Sequence, residues 1–131
     1  MTANSRGVPL GLRTVIYRVS NLSTAKGWYA SVFGVEPYFD QPFYVGFSIG
    51  GFELGLDPEP NDRDGSGSSG VAYWGVANAD DAFAHFLSLG ATEHSAVRDV
   101  GDGIRVASVS DPFGNIIGLI ENPHFDIGAV R

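Results

Sequence analysis

The feature that most constrains the fold of this chain is an internal repeat, because one order of sequence patterns occurs twice along its 131 residues. Each copy begins with strand-like alternation of side chains, from Leu12 to Val19 and again from Val71 to Val76. An asparagine, Asn21 or Asn78, then precedes an amphipathic helix that ends near a glycine. Since repetition at this scale constrains a fold more than local propensities do, we expect two similar modules rather than an unrelated α+β sandwich.

Each module continues with three further strand-like runs, so each is predicted to be a βαβββ unit. The runs are Val35 to Phe39, Phe43 to Ile49 and Gly51 to Leu56 in the first module, and Thr92 to Val97, Ile104 to Ser110 and Asn115 to Glu121 in the second. We expect one domain with modules at about 12–57 and 70–123, a linker at 58–69 and a tail at 124–131. The predicted fold class is α+β, with both modules forming a curved, eight-stranded mixed sheet around a cleft.

Composition and charge exclude several kinds of protein. The chain has no cysteine, so it can form neither a disulfide nor a thiolate metal site, and it has no cysteine nucleophile. Fifteen acidic and eight basic residues give a formal net charge of −7, so we expect no nucleic-acid partner. No signal peptide or membrane span is recognisable, and we therefore expect no membrane partner and a cytoplasmic location.

Three motifs carry a resemblance to a known family. They are VIYRVSNL at residues 15–22 leading into a helix, Phe33-Gly34 closing that helix, and DPFGN at residues 111–115 before a last apolar strand. Their order and spacing resemble the vicinal oxygen chelate superfamily, which includes glyoxalase I, bleomycin-resistance proteins and extradiol dioxygenases. The resemblance covers about residues 12–123 and implies a glyoxalase-like fold, but it names no reaction.

The resemblance also implies where a metal would be held, because the family's ligands lie on the first and last strands of each module. These positions correspond to Thr14 and Glu53 in the first module and to Val71, counted back from Val76, and Gly118 in the second. Only Glu53 keeps a good donor, whereas a catalytic zinc takes about three protein ligands. We therefore expect no metal ligands and no cofactor, and we expect the histidines His85 and His94 to be solvated surface residues.

Strand parity predicts which side chains face the cleft, because their sequence neighbours are apolar and would face the helices. The ligand-binding candidates on the cleft side are Thr14, Ile16, Arg18, Glu53, Tyr73 and Gly118. Four glycines, Gly51, Gly55, Gly75 and Gly118, would leave room for a flat ligand or for close approach of a backbone. Such an apolar concavity with few polar groups is typical of a small-molecule pocket.

Glu53 is the candidate catalytic residue, since an apolar pocket favours the protonated form of a carboxyl and would make it a usable general base. The alternative is a structural ion pair of Glu53 with Arg18 or with Arg105, without chemistry. Tyr73 could stack on a ligand or belong to the core. The aromatic residues from Tyr38 to Phe47 lie on middle strands whose phase the sequence leaves open.

These observations favour a metal-free small-molecule-binding protein, similar to the drug-sequestering bleomycin-resistance members of the family, whose ligand would be aromatic or a natural product. The alternative is a glyoxalase-like lyase or isomerase, either metal-independent with Glu53 as base or metal-dependent with ligands that parity does not identify. A third possibility is a regulatory or partner-binding module. The family's habit and the concave sheets lead us to expect a homodimer.

Overall fold

The structure is a computed structural model that describes residues 7–58 and 70–130. Its elements are β1 (Gly11–Arg18), α1 (Leu22–Phe33), β2 (Phe39–Gln41), β3 (Tyr44–Ile49), β4 (Phe52–Asp57), β5 (Gly70–Gly75), α2 (Ala79–Ser88), β6 (Thr92–Gly101), β7 (Ile104–Ser110), β8 (Ile116–Glu121) and a short 3-10 helix (Ile127–Ala129). Most of the predicted linker, residues 59–69, lies outside the described residues. Within the described part of the chain, neither helix is long and apolar enough to span a membrane.

The chain divides into two compact units whose boundaries fall inside β1 and β5. The α1 unit comprises the described residues among 14–71 and 126–131, and the α2 unit comprises those among 1–13 and 72–125. Each end of the chain therefore belongs to the unit whose helix is farther away in sequence. Residues 7–13, which precede α1, belong to the α2 unit, and residues 126–130, which follow the α2 unit in sequence, belong to the α1 unit.

The α1 unit has strand order β2-β3-β4-β1, in which β2, β3 and β4 pair antiparallel and β4 pairs parallel with β1. The side chain of Asn21 accepts a hydrogen bond from the backbone N–H of Thr24 and so caps α1 as predicted. Gly34 ends the helix with a φ of 70°, a left-handed conformation that glycine adopts without strain. The core beneath α1 consists of Val45, Phe47, Leu54 and Leu56.

The α2 unit repeats this arrangement with strand order β6-β7-β8-β5, antiparallel except for the parallel pair β8-β5. Asn78 caps α2 through the N–H of Asp81, and the carboxylate of Glu121 accepts a hydrogen bond from the N–H of Ala79 at 2.9 Å. A carboxylate at this end also complements the helix dipole. The α2 core contains Val76, Ala82 and Leu119.

The predicted fold class is confirmed: the protein is α+β, with two βαβββ units and eight strands in mixed pairings. The second strand was placed wrongly, because residues 35–38 form a loop and β2 is Phe39–Gln41. The N–H of Val35 bonds to the carbonyl of Ala30 at the end of α1, and Pro37 has no N–H, so residues 35–37 do not join the ladder. The strand β6 extends to Gly101, beyond its predicted end at Val97.

Candidate functional site

The two faces of the sheet in the α1 unit differ in character. One face packs under α1 through the core of that unit. The opposite face, which we call the helix-free face of the α1 unit, carries a row of polar residues: Ser48 pairs with Glu53 across β3 and β4, and Glu53 pairs with Thr14 across β4 and β1. The predicted parity of Thr14 and Glu53 therefore brings them side by side.

The carboxylate of Glu53 is held by two hydroxyl groups. Thr14 Oγ1 donates a hydrogen bond to Glu53 Oε1 at 3.1 Å, and the Tyr38 hydroxyl donates to Glu53 Oε2 at 2.7 Å. Thr14 is 5% exposed, so its hydroxyl is almost fully removed from water. Two donors aimed at opposite oxygens fix the plane of the carboxylate.

The ion pair that was the alternative role of Glu53 is not formed, because no cation among the described residues lies within ion-pair distance of its carboxylate. Arg105 instead donates to Asp80 Oδ2 at 2.7 Å and lies 3.8 Å from Glu121. The Glu53 carboxylate therefore accepts hydrogen bonds from two hydroxyl groups and not from the arginines that the sequence suggested.

Tyr38 is the part of this site that sequence reasoning missed. Its backbone N–H donates to the carbonyl of Gly46 at 3.0 Å, which docks the loop before β2 onto β3. Its ring lies over Gly46, where a Cβ would be 3.2 Å from the ring and 2.6 Å from Glu53 Oε2. Partial burial, and then the hydrogen bond to Glu53 and the negative charge of its carboxylate, raise the pKa of Tyr38 above its usual value, so the hydroxyl stays a donor. Parity gave no signal because Tyr38 lies in a loop.

Two of the four candidate glycines, Gly51 and Gly55, belong to the α1 unit, and both lie against other groups of the protein. A Cβ on Gly55 would collide with the hydroxyl and ring of Tyr44, which lie over it. Gly51 (φ +94°) lies against the backbone of Ala129 and Val130, where a Cβ would be 2.6 Å from the Cα of Val130. The predicted close approach of a backbone is therefore correct at Gly51, and the predicted room for a flat ligand is wrong at Gly55.

The remaining candidates of the first module continue along the same strand. Ile16 pairs with Gly55, and Arg18 pairs with Asp57, both across β1 and β4. Both side chains are half-buried. Parity places them on the same face as Thr14.

In the α2 unit, the candidates Tyr73 and Gly118 lie opposite each other across β5 and β8. The Tyr73 ring covers Gly118 so closely that a Cβ there would lie 2.5 Å from the ring. Tyr73 faces Gly118 as Thr14 faces Glu53, so the strand register assigns Tyr73, rather than Val71, to the position that corresponds to Thr14. Counting back from Val76 gave Val71, which lies two residues before the position that the register assigns. The Tyr73 ring also fills the space at Gly118.

His94 is a half-buried residue rather than the solvated one that was expected. Its Nδ1 lies 2.8 Å from Ser108 Oγ, and Ser108 is itself 5% exposed. The His94 Nε2 is buried without a hydrogen-bond partner among the described residues. The pairing of β6 with β7 is irregular here, since its register shifts between Glu93 and Ser95.

The donor set does not fit a divalent metal. Thr14 and Tyr38 already donate to the only carboxylate of this cluster, and the corresponding positions in the α2 unit are Tyr73 and Gly118. Within residues 7–58 and 70–130, no three histidine, aspartate or glutamate side chains are grouped so that they could hold a metal ion. A catalytic zinc takes about three such ligands.

A separate cavity of about 390 Å³ lies between the start of α1 and the turn after β2. Leu22, Lys26, Asp40 and Val45 contribute to its lining. Its cation is already paired, since Lys26 Nζ lies 2.9 Å from Asp40 Oδ2.

Comparisons with known proteins agree with the fold. The family model described as Glyoxalase/Bleomycin resistance protein/Dioxygenase superfamily matches residues 11–119. A comparison with curated proteins finds no match.

Several solved structures share the fold at low sequence identity. A variant of the Streptomyces coelicolor methylmalonyl-CoA epimerase in complex with 2-nitronate-propionyl-CoA has a TM-score of 0.74 at 14% identity, covering 91% of this chain and 99% of that one. The Mycobacterium tuberculosis methylmalonyl-CoA epimerase has a TM-score of 0.68 at 19% identity, covering 92% of each chain. A glyoxalase/bleomycin resistance protein/dioxygenase superfamily member from Vibrio splendidus 12B01 has a TM-score of 0.64 at 14% identity, covering 85% and 99%.

Proposed function

Because this chain belongs to the Glyoxalase/Bleomycin resistance protein/Dioxygenase superfamily, we propose that it is a metal-free protein that binds a small molecule on the helix-free face of the α1 unit. In this proposal Glu53 is the hydrogen-bond acceptor for the ligand. The observation that carries it is the fixed carboxylate of Glu53, held by Thr14 and Tyr38 with no cation of the described residues at ion-pair distance.

The acceptor capacity of Glu53 supports this function. An ionised carboxylate has about four lone-pair sites, and hydroxyl groups of the protein fill two of them. A half-buried carboxylate with sites to spare favours a ligand that brings N–H or O–H donors, because unpaired acceptors are costly once a ligand excludes water. The Tyr38 side chain, 64% exposed beside this carboxylate, offers a ring face to an aromatic ligand.

The second candidate is a metal-independent lyase or isomerase that uses Glu53 as a base. The same observation supports it, since a carboxylate fixed in one plane by two donors can receive a proton as well as a hydrogen bond. The two functions differ in whether the ligand is recovered unchanged, so one experiment can separate them.

The experiment is a thermal-shift screen of aromatic natural products on the purified protein, on Glu53→Gln and on the matched control Glu93→Gln. Glu93 is an exposed glutamate on β6, so its substitution changes the charge equally but leaves the site intact. We expect a stabilising compound whose affinity falls about 10- to 100-fold in Glu53→Gln, the range for a hydrogen bond to a charged group, and stays unchanged in Glu93→Gln.

Mass spectrometry of the compound after incubation distinguishes the two functions. Recovery of the unchanged compound supports binding, whereas a product that Glu53→Gln no longer forms supports the enzyme. Failure of every compound to stabilise the protein, or equal affinity in both variants, would contradict a role for Glu53.

We also propose that the protein is a homodimer, a state that depends on concentration by mass action. Sedimentation at tens of micromolar protein tests it. A monomer at that concentration would overturn this proposal without affecting the role of Glu53.

A further inference from the structure

Arg13 occupies an unusual position in the α2 unit. Its Cζ lies 3.7 Å from the centroid of the Phe125 ring, at cation–π distance. Its side chain also lies against Gly75, where a Cβ would be 2.7 Å from Cζ and 2.8 Å from Cγ of the arginine. Gly75 follows Tyr73 by two residues on β5 and so shares its face of the sheet, the one turned away from Leu119 and α2. A glycine and an aromatic ring thus hold the guanidinium on this face, which we call the helix-free face of the α2 unit.

The hydrogen-bonding capacity of this guanidinium is largely unused. Arginine has five N–H donors, and the hydrogen bond that Arg13 makes among the described residues runs from Nη1 to the carbonyl of Leu12 at 3.2 Å. No carboxylate among residues 7–58 and 70–130 lies within ion-pair distance of Arg13. Arg105, in the same unit, shows the ordinary alternative, since it pairs with Asp80 and Glu121.

Arg13 is therefore a half-buried charge with no counter-ion among the residues that the structure describes. Burial lowers the pKa of Arg13 below its usual value, because the charged form loses hydration. The face of Phe125 attracts the cation but accepts none of its N–H groups. A guanidinium that is already fixed also loses little further freedom when it binds an oxyanion through two parallel hydrogen bonds.

We propose that Arg13 anchors a second ligand site, which binds the carboxylate of a small organic acid on the helix-free face of the α2 unit. The planar fork of arginine matches a carboxylate with two parallel hydrogen bonds. A net charge of −7 repels polyanions, so a ligand with a single negative charge fits this protein best. Phe125 provides aromatic surface beside the anchor, which favours an aromatic acid.

This proposal goes beyond the function assigned to Glu53 and does not rest on it. Arg13 belongs to the α2 unit, and its contacts are Gly75, Phe125 and the carbonyl of Leu12. A result that removes Glu53 from ligand binding leaves the Arg13 site untouched, and the reverse also holds.

The test is a titration of the 131-residue protein with benzoate. Binding is monitored through the amide signals in the NMR spectrum of a ¹⁵N-labelled sample. Benzamide is the neutral control of equal shape, and inorganic phosphate is the control for general anion binding. We expect saturable shifts at Gly75 and its neighbours with benzoate and none with benzamide. Phosphate should bind more weakly than benzoate.

Three variants connect the binding to Arg13. Arg13→Gln should weaken benzoate binding by at least about ten-fold, and Arg13→Lys should weaken it by less because the charge remains while the fork is lost. Arg98→Gln is the matched control, because Arg98 is an exposed arginine of the same unit that donates to Ser95. It should bind benzoate like the parent protein.

Several outcomes would overturn the proposal. The first is the absence of a saturable benzoate shift up to about 10 mM, a concentration that would still detect very weak binding. The others are equal binding of benzamide or phosphate and an unchanged benzoate affinity in folded Arg13→Gln. If Arg13→Gln fails to fold, as judged by its amide spectrum, Arg13→Lys decides, and benzoate affinity equal to that of the parent protein then refutes the site.

Discussion

The hydrogen bond between Tyr38 and Glu53 can be tested by removing one oxygen atom. Tyr38→Phe keeps the ring over Gly46 and deletes the hydroxyl that lies 2.7 Å from Glu53 Oε2. A hydrogen bond to a charged group contributes about 1.5–3 kcal/mol where water is excluded. Tyr38 is 64% exposed, so water can replace its hydroxyl at the carboxylate. We therefore expect the free energy of unfolding to fall by only about 0.5–1.5 kcal/mol.

The matching substitution at Thr14 should cost more. Thr14→Val keeps the shape of the side chain but removes the hydroxyl that donates to Glu53 Oε1 at 3.1 Å. Because Thr14 is 5% exposed, water replaces this donor poorly, and we expect a loss of about 1–3 kcal/mol.

Urea unfolding followed by circular dichroism measures both losses, provided that the dependence of the free energy on urea concentration stays constant. Tyr29→Phe is the control, since Tyr29 has ring contacts but its hydroxyl has no hydrogen bond to any described residue. A double-mutant cycle of Tyr38→Phe with Glu53→Gln should give a coupling free energy of about 0.5–1.5 kcal/mol.

Two results would refute this reasoning. If Tyr38→Phe costs no more than Tyr29→Phe, or if the Tyr38 and Glu53 substitutions are additive, the hydroxyl does not hold the carboxylate. If Tyr38→Phe costs more than Thr14→Val, exposure does not set the strength of these two bonds.

Four further predictions concern stability and metal content. Because the pKa of Tyr38 is raised in the folded protein, its contribution to stability is complete below the ordinary tyrosine pKa of about 10 and is lost as the pH rises from there through the folded value. The free energy of unfolding measured between about pH 9 and 11 should show the start of this loss, and Tyr38→Phe should abolish it. Gly118→Ala should destabilise the protein by about 1–3 kcal/mol, because its Cβ would lie 2.5 Å from the Tyr73 ring; adding Tyr73→Ala should cost less than the sum of the two changes. Ser108→Ala should cost about 1–3 kcal/mol, because His94 Nδ1 then loses its partner while Nε2 already lacks one. Elemental analysis of the purified protein should find far less than one divalent metal ion per chain.

Each of these predictions can be contradicted directly. If Tyr38→Phe loses stability at alkaline pH in the same way as the parent protein, the first prediction is wrong. If the losses of unfolding free energy in Gly118→Ala and Tyr73→Ala are additive, the second is wrong. Unchanged stability of Ser108→Ala would show that His94 does not depend on this contact. A stoichiometric zinc, nickel, manganese or iron would overturn the metal-free proposal.

The sequence alone determined the repeated architecture and the helix boundaries. Local rules are sufficient there: an asparagine side chain satisfies the first N–H groups of a helix, and Gly34 adopts the left-handed conformation that ends α1. Alternation along a strand also brought Thr14 and Glu53 to one face, because successive side chains point to opposite sides. Both rules act over a few neighbouring residues, so they can be read without knowing what lies across the sheet.

Only the tertiary structure decided which groups complete each site. Tyr38 reaches Glu53 from a loop, Tyr73 corresponds to Thr14 through the register of β5 with β8, and Arg13 lies against Gly75, 62 positions later in the sequence. At Gly55, Gly75 and Gly118 the predicted room is filled by the side chains of Tyr44, Arg13 and Tyr73. Such contacts depend on register, on loop paths and on the reach of long side chains, none of which repeats with the period of a strand or helix, so no local pattern in the sequence encodes them.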